Sequence, residues 1–203
     1  MNSQIIKDSR LAEEYLRVEH PSGLTMLLYP MKGFSTAYAM FSTKYGSIDT
    51  CFQRGEDADF VKVPEGIAHY LEHKMFESEE GDAFEKYAQT GASANAFTSF
   101  DKTCYLFACT DRFQESLEIL LDCVTHPYFT KETVEKEQGI IGQEIRMYED
   151  DPGWRVMFNL LQSLYQNNSV KVDIAGSIES IAQIDAELLY RCYHTFYNLH
   201  NMV

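Results

Sequence analysis

Apolar and polar positions alternate through residues 14–20 and 24–29, and Pro21-Ser22-Gly23 between them predicts a hairpin turn. Residues 35–45 continue as an apolar, aromatic strand. Residues 46–63 turn polar, carry Asp49, Glu56, Asp57 and Asp59, and read as a surface loop. Pro64 suits the first position of a helix and Glu65 its first turn, so a helix is predicted from there to about Phe76. An acidic turn over 77–82 leads to a short helix over 83–90, which Gly91 stops. Strands over 93–99 and 103–110 follow, hinged at Phe100-Asp101-Lys102. The period then lengthens to that of helices, over 112–125, 131–148, 153–165 and 186–199, with breaks at His126-Pro127 and Asp151-Pro152. Strands first and helices mostly afterwards predict an α+β fold, an antiparallel sheet with helices packed on it. No linker or internal repeat divides residues 10–203, so 1–203 reads as a single domain.

Composition narrows the function classes. The net charge of −14 argues against a general nucleic-acid binder, because neutralising phosphates needs a Lys/Arg surplus. No apolar run approaches the roughly 18 residues that span a bilayer, which predicts no membrane partner. The first fifteen residues lack the apolar core of a secretion signal, and five cysteines without a C-x-x-C pair read as reduced thiols. A cytoplasmic location is the expectation.

The sharpest chemical feature is His69-Tyr70-Leu71-Glu72-His73 on the predicted Pro64 helix. Residues four apart lie one turn apart on one face, so His69 and His73 can aim two imidazoles at one metal ion. Glu72 flanks that face without having to ligate. This is the H-x-x-E-H order, in which neutral imidazoles suit Zn2+ and a free carboxylate can take a proton from water. Two histidines so spaced are commonly just surface or core residues, and the motif needs a third ligand. The helix from Lys131 offers one: Val134, Glu137, Ile141, Glu144, Ile145 and Tyr148 share a stripe, and two carboxylates on an apolar face need partners. Glu144 considered alone would be an acid facing water, as Glu132, Glu135 and Glu149 are expected to be.

Three ordered motifs then carry a family resemblance. Gly66 through His73, Gly91-Ala92-Ser93-Ala94-Asn95-Ala96-Phe97-Thr98, and Glu137 through Glu144-Ile145-Arg146 together resemble the pitrilysin family of zinc peptidases, to which mitochondrial processing peptidase and insulin-degrading enzyme belong. The resemblance implies that His69, His73 and Glu144 ligate Zn2+, that Glu72 is the catalytic base, and that Glu137 supports the site without binding the metal. The function implied is a zinc-dependent endopeptidase hydrolysing peptide bonds in short or unfolded polypeptides by metal-activated water. Non-catalytic members suggest the alternative, a peptide-binding or scaffold subunit paired with a homologue. A third possibility is a structural zinc domain. The acidic stretch Glu77-Ser78-Glu79-Glu80-Gly81-Asp82 departs from many relatives, which read Lys-Gly-Thr, and points to a bacterial subgroup.

Residues 92–98 are small and polar. They read either as an ordinary strand or as an edge that takes an extended peptide by strand addition. The resemblance favours the second, with Asn95, Ala96 and Phe97 as substrate-binding residues. It also implies a second, similarly folded domain, which would make 1–203 the N-terminal half of a longer protein, weak or inactive alone, with 198–203 entering a further strand. Trp154, Phe158, Tyr165, Tyr193, Phe196 and Tyr197 read as helix core or interdomain packing, and His20, His126, His194 and His200 as structural.

Overall fold

The protein is described here by a computed structural model that covers residues 2–55 and 57–203; Glu56, one of the acids of the polar loop, lies outside the described residues. Strands β1 (Asn2–Asp8), β2 (Glu13–Glu19) and β3 (Thr25–Leu28) form an antiparallel meander. The hairpin at Pro21-Ser22-Gly23 is the predicted one. β1 is an addition, and its pairing runs from Asn2 opposite Glu19 to Asp8 opposite Glu13. Its side chains are exposed or half-buried, so no buried face imprints an alternating pattern on the sequence.

β4 (Ala37–Thr43) follows, then a small hairpin of β5 (Cys51–Phe52) and β6 (Val61–Lys62) inside the stretch expected to be loop. Helix α1 spans Ile67–Lys74. Pro64 and Glu65 precede it rather than opening it. The reason is a close backbone approach: Gly66 has φ 86°, and a Cβ there would come within 2.3 Å of the Ala175 carbonyl oxygen. The Ser180 hydroxyl also donates to the Glu65 carbonyl, 2.8 Å away, which holds that residue in a turn. β7 (Glu77–Ser78) and β8 (Gly81–Asp82) make a tight hairpin of the acidic stretch, and Asp82 caps α2 (Ala83–Thr90) by accepting from the Phe84 N–H.

β9 (Ser93–Thr98) and β10 (Thr103–Cys109) complete a sheet of order β4-β10-β9, antiparallel throughout, in which β9 is an open edge. On the far side of β4, the Ser42 N–H donates to the Val203 carbonyl (2.8 Å) and the Val203 N–H to the Ser42 carbonyl (3.0 Å). Four helices then run close to their predicted bounds: α3 (Phe113–Thr125), α4 (Lys131–Glu149), α5 (Pro152–Leu164) and, after the unpredicted single turn α6 (Ile178–Ile181), α7 (Ala186–Phe196). A reciprocal Thr130–Thr133 capping box opens α4, and Asp151 caps α5 ahead of its Pro152.

The helices pack on the sheet face that carries Phe41, Tyr105 and Phe107. α1 sits between them, buried on all sides, with Ile67, Ala68, Tyr70 and Leu71 at most 2% exposed. Its Tyr70 hydroxyl donates to the Val134 carbonyl of α4. Lys74 is fully buried, and its ammonium pairs with Glu77 and donates to the Thr133 carbonyl (3.4 Å). The acidic stretch after α1 thus supplies the counter-charge of a buried lysine. Phe158, Tyr193 and Tyr197 are core as expected, Trp154 and Phe196 are half-buried, and Tyr165 is exposed beyond the end of α5. Among the described residues, no helix is long and apolar enough to cross a membrane.

Candidate metal centre

The contact of α1 with α4 brings His69, His73 and Glu144 together, each offering a ligand atom within 4.8 Å of the others. His73 Nε2 lies 3.3 Å and His69 Nε2 3.7 Å from Glu144 Oε2. The two imidazoles meet edge to face with centroids 4.6 Å apart. Zinc bonds of about 2.0–2.2 Å in a tetrahedron put neighbouring donors about 3.3–3.6 Å apart, so the spacing and the N, N, O donor set fit that ion.

The surrounding groups orient the donors. His73 Nδ1 lies 2.9 Å from Glu137 Oε1, so the ring's Nδ1–H goes to Glu137 and its Nε2 faces Glu144, the atom that a metal there would take once its proton is lost. The Tyr148 hydroxyl donates to Glu144 Oε1 at 2.8 Å, leaving Oε2 for the centre. His69 Nδ1 is buried and has no hydrogen-bond partner among the described residues. The stripe on α4 is as the helical period predicts: Ile141 and Ile145 are buried, Glu137 and Glu144 half-buried, and Glu132, Glu135 and Glu149 face water.

Charges follow this geometry. Burial pulls the His73 imidazole down, but hydrogen bonds to Glu137 and Glu144 and the charges of Glu72 and Glu144 more than offset it, pushing its pKa up to about 10. The bonds from His69 and His73 hold Glu144 far below the usual carboxylate range. Burial, then the bond to Glu144, raises Tyr148 to about 12.

Glu72 is buried and its carboxylate accepts from the Thr98 hydroxyl at 2.8 Å. Thr98 belongs to the β9 face that also carries Ala94 and Ala96. Asn95 and Phe97 point to the opposite face, where they sit across from Leu106 and Cys104. The fold therefore brings Ala96 to the helix side and leaves the Phe97 ring, 42% exposed, on the other. The Ala96 N–H is taken by the Asn95 side-chain oxygen at 2.9 Å. Neither Thr98 nor Tyr148 had been given a role from sequence. Tyr148 was visible in the α4 stripe, whereas nothing about a threonine near the end of a strand announces its partner.

Comparisons with known proteins identify the family of the chain. The family model described as insulinase, peptidase family M16, matches residues 55–177. The chain belongs to peptidase family M16. Among curated relatives, an uncharacterized zinc protease, YmfH of Bacillus subtilis (strain 168), is 50% identical over 198 residues, which is 98% of this chain and 46% of that protein. Among solved structures, the M16-like peptidase from Alicyclobacillus acidocaldarius superposes with TM-score 0.88 at 44% identity, covering 93% of this chain and 44% of that one. Pitrilysin superposes with TM-score 0.79 at 18% identity over 98% of this chain and 22% of that one, a likeness of fold. The chain thus spans about half the length of YmfH, the curated M16 relative it matches at 50% identity. Family membership supports a peptidase function, and the α+β class is that of the M16 neighbours.

Proposed function

We propose that this chain carries the metal centre of a zinc-dependent endopeptidase acting on short or unfolded polypeptides. One observation carries the reading: His69 Nε2, His73 Nε2 and Glu144 Oε2 converge at the spacing of ligands to a single ion, while Glu72 stays outside the trio. Zinc held there would supply a Lewis acid that polarises the scissile carbonyl and makes water more acidic. Glu72 would accept the proton of the attacking water and pass it to the leaving amine nitrogen. Glu137 keeps the orientation of His73, and Tyr148 keeps the orientation of the Glu144 carboxylate. The open edge of β9 suits main-chain pairing with an extended peptide, a mode that selects unfolded segments more than particular side chains. A strand added there must displace the Asn95 side chain from the Ala96 N–H. A second homologous domain, in the remaining half of a longer protein, would complete the substrate enclosure.

The test is a fluorogenic-peptide assay with zinc analysis on the full-length protein that contains this chain. Turnover is expected to stop with a chelator and return with zinc, and Glu72→Gln is expected to retain zinc while losing about 10²–10⁴ in kcat. Full activity in Glu72→Gln removes that residue from the role, and turnover that ignores chelation overturns the reading.

A further inference from the structure

Glu72 is an exception among the buried charges of the molecule. Lys74 has Glu77, and Glu137 and Glu144 have the histidines, but among the described residues no cation pairs with the Glu72 carboxylate. Among the described residues its one side-chain hydrogen bond comes from the Thr98 hydroxyl, to Oε2, in a residue only 8% exposed. A buried carboxylate oxygen held by a single donor depends on that donor for its orientation, because removing it leaves the oxygen without a hydrogen-bond partner.

The direction of the Thr98 hydroxyl is set by its surroundings. Thr103, opposite Thr98 in the β9–β10 ladder and completely buried, has its own oxygen 3.4 Å away. Each hydroxyl has one hydrogen, and that of Thr103 goes to the Tyr45 carbonyl at 2.9 Å. The Thr98 hydrogen is therefore free to point at Glu72 Oε2. A β-branched side chain in a strand has few rotamers, so the donor is stiff. One carboxylate oxygen is tied to the sheet and the other is left for proton transfer.

We infer that Thr98 is a positioning residue for Glu72, fixing the plane of the carboxylate that serves as the base. This rests on the zinc-endopeptidase reading above. Thr98 adds nothing to the metal ligands and binds no substrate side chain; it acts only through the orientation of Glu72.

The experiment compares Thr98→Val, which keeps the shape and strand preference while removing the donor, with Thr98→Ser, which keeps the donor. Both are prepared with zinc and followed by kinetics and by crystal structures. Thr98→Val is expected to lose at least about tenfold in kcat with KM and zinc content within twofold of wild type, a part of the 10²–10⁴ attributed to a well-placed base. Thr98→Ser is expected to recover most of that loss. In the crystal the Glu72 carboxylate of Thr98→Val leaves its position or divides between rotamers, and that of Thr98→Ser stays. Wild-type kcat in Thr98→Val, or a Glu72 that does not move, overturns the inference; so does an equal loss in both variants. If the full-length wild-type protein shows no zinc-dependent turnover, the endopeptidase reading fails, and the position of Glu72 in the two crystals still decides whether Thr98 holds it.

Discussion

The α1–α4 seam and the β1–β3 meander are both well hydrogen-bonded, and they differ in what their side chains bury. In the seam, Tyr70, Leu71, Lys74 and Ile141 are fully buried, and every ionised group next to them has a partner or a donor. In the meander Val18 is the one buried residue, Ile5 is 58% and Leu27 54% exposed, and the Lys7–Glu14 pair stands in water. Backbone pairing alone gives little net stability, because water offers the unfolded chain the same bonds. The seam holds the molecule together, and for the same reason it can hold charged groups at fixed distances. The meander can do neither by itself.

Three perturbations sharpen this contrast, the largest first. Ile141→Ala empties a fully buried site on α4 between Glu137 and Glu144, and is expected to cost about 2–5 kcal/mol by chemical denaturation and to weaken zinc retention. An unchanged denaturation midpoint would contradict the seam's role.

The second is pH, applied to the protein stripped of metal. His73 is raised from its ordinary 6.5 to about 10, so its contribution is fully present below pH 6.5 and is lost as pH rises towards 10. Glu144 is depressed from its ordinary 4.5, so its contribution is present above pH 4.5 and is lost as pH falls further. Thermal melts are expected to peak between about pH 4.5 and 6.5. Zinc at the proposed centre would displace the His73 proton, so its affinity is expected to strengthen with pH across the interval in which that proton is held. A melting temperature flat from pH 4 to 10 would disconnect these groups from stability.

The smallest effect belongs to the meander. Ile5→Ser is expected to stay within about 0.5 kcal/mol of wild type, as exposed substitutions usually do. A loss of 2 kcal/mol or more would show that β1 is covered in solution.

The parts legible in sequence were those set by short-range geometry. The four-residue interval of His69 and His73 and the seven-residue interval of Glu137 and Glu144 both follow from the helix period. β1 was not legible because exposed strands carry no alternation. The start of α1 was displaced because Gly66 meets Ala175, more than a hundred residues away. Asn95, Ala96 and Phe97 were grouped as one substrate edge, and the observed register divides them, with Ala96 on the helix side of the sheet and Asn95 and Phe97 on the opposite face.

By itself, then, the amino-acid order determined the helices, the face of each that bears chemistry, and the donor types suited to zinc. Only the tertiary structure decided that α1 and α4 meet with those faces together, that Glu137 takes the His73 N–H and Tyr148 steadies Glu144, and that the Thr98 hydroxyl reaches Glu72. The division has a physical cause. A helix places residues three or four apart through its own backbone, while distances of a few ångströms between distant segments depend on how a whole core packs.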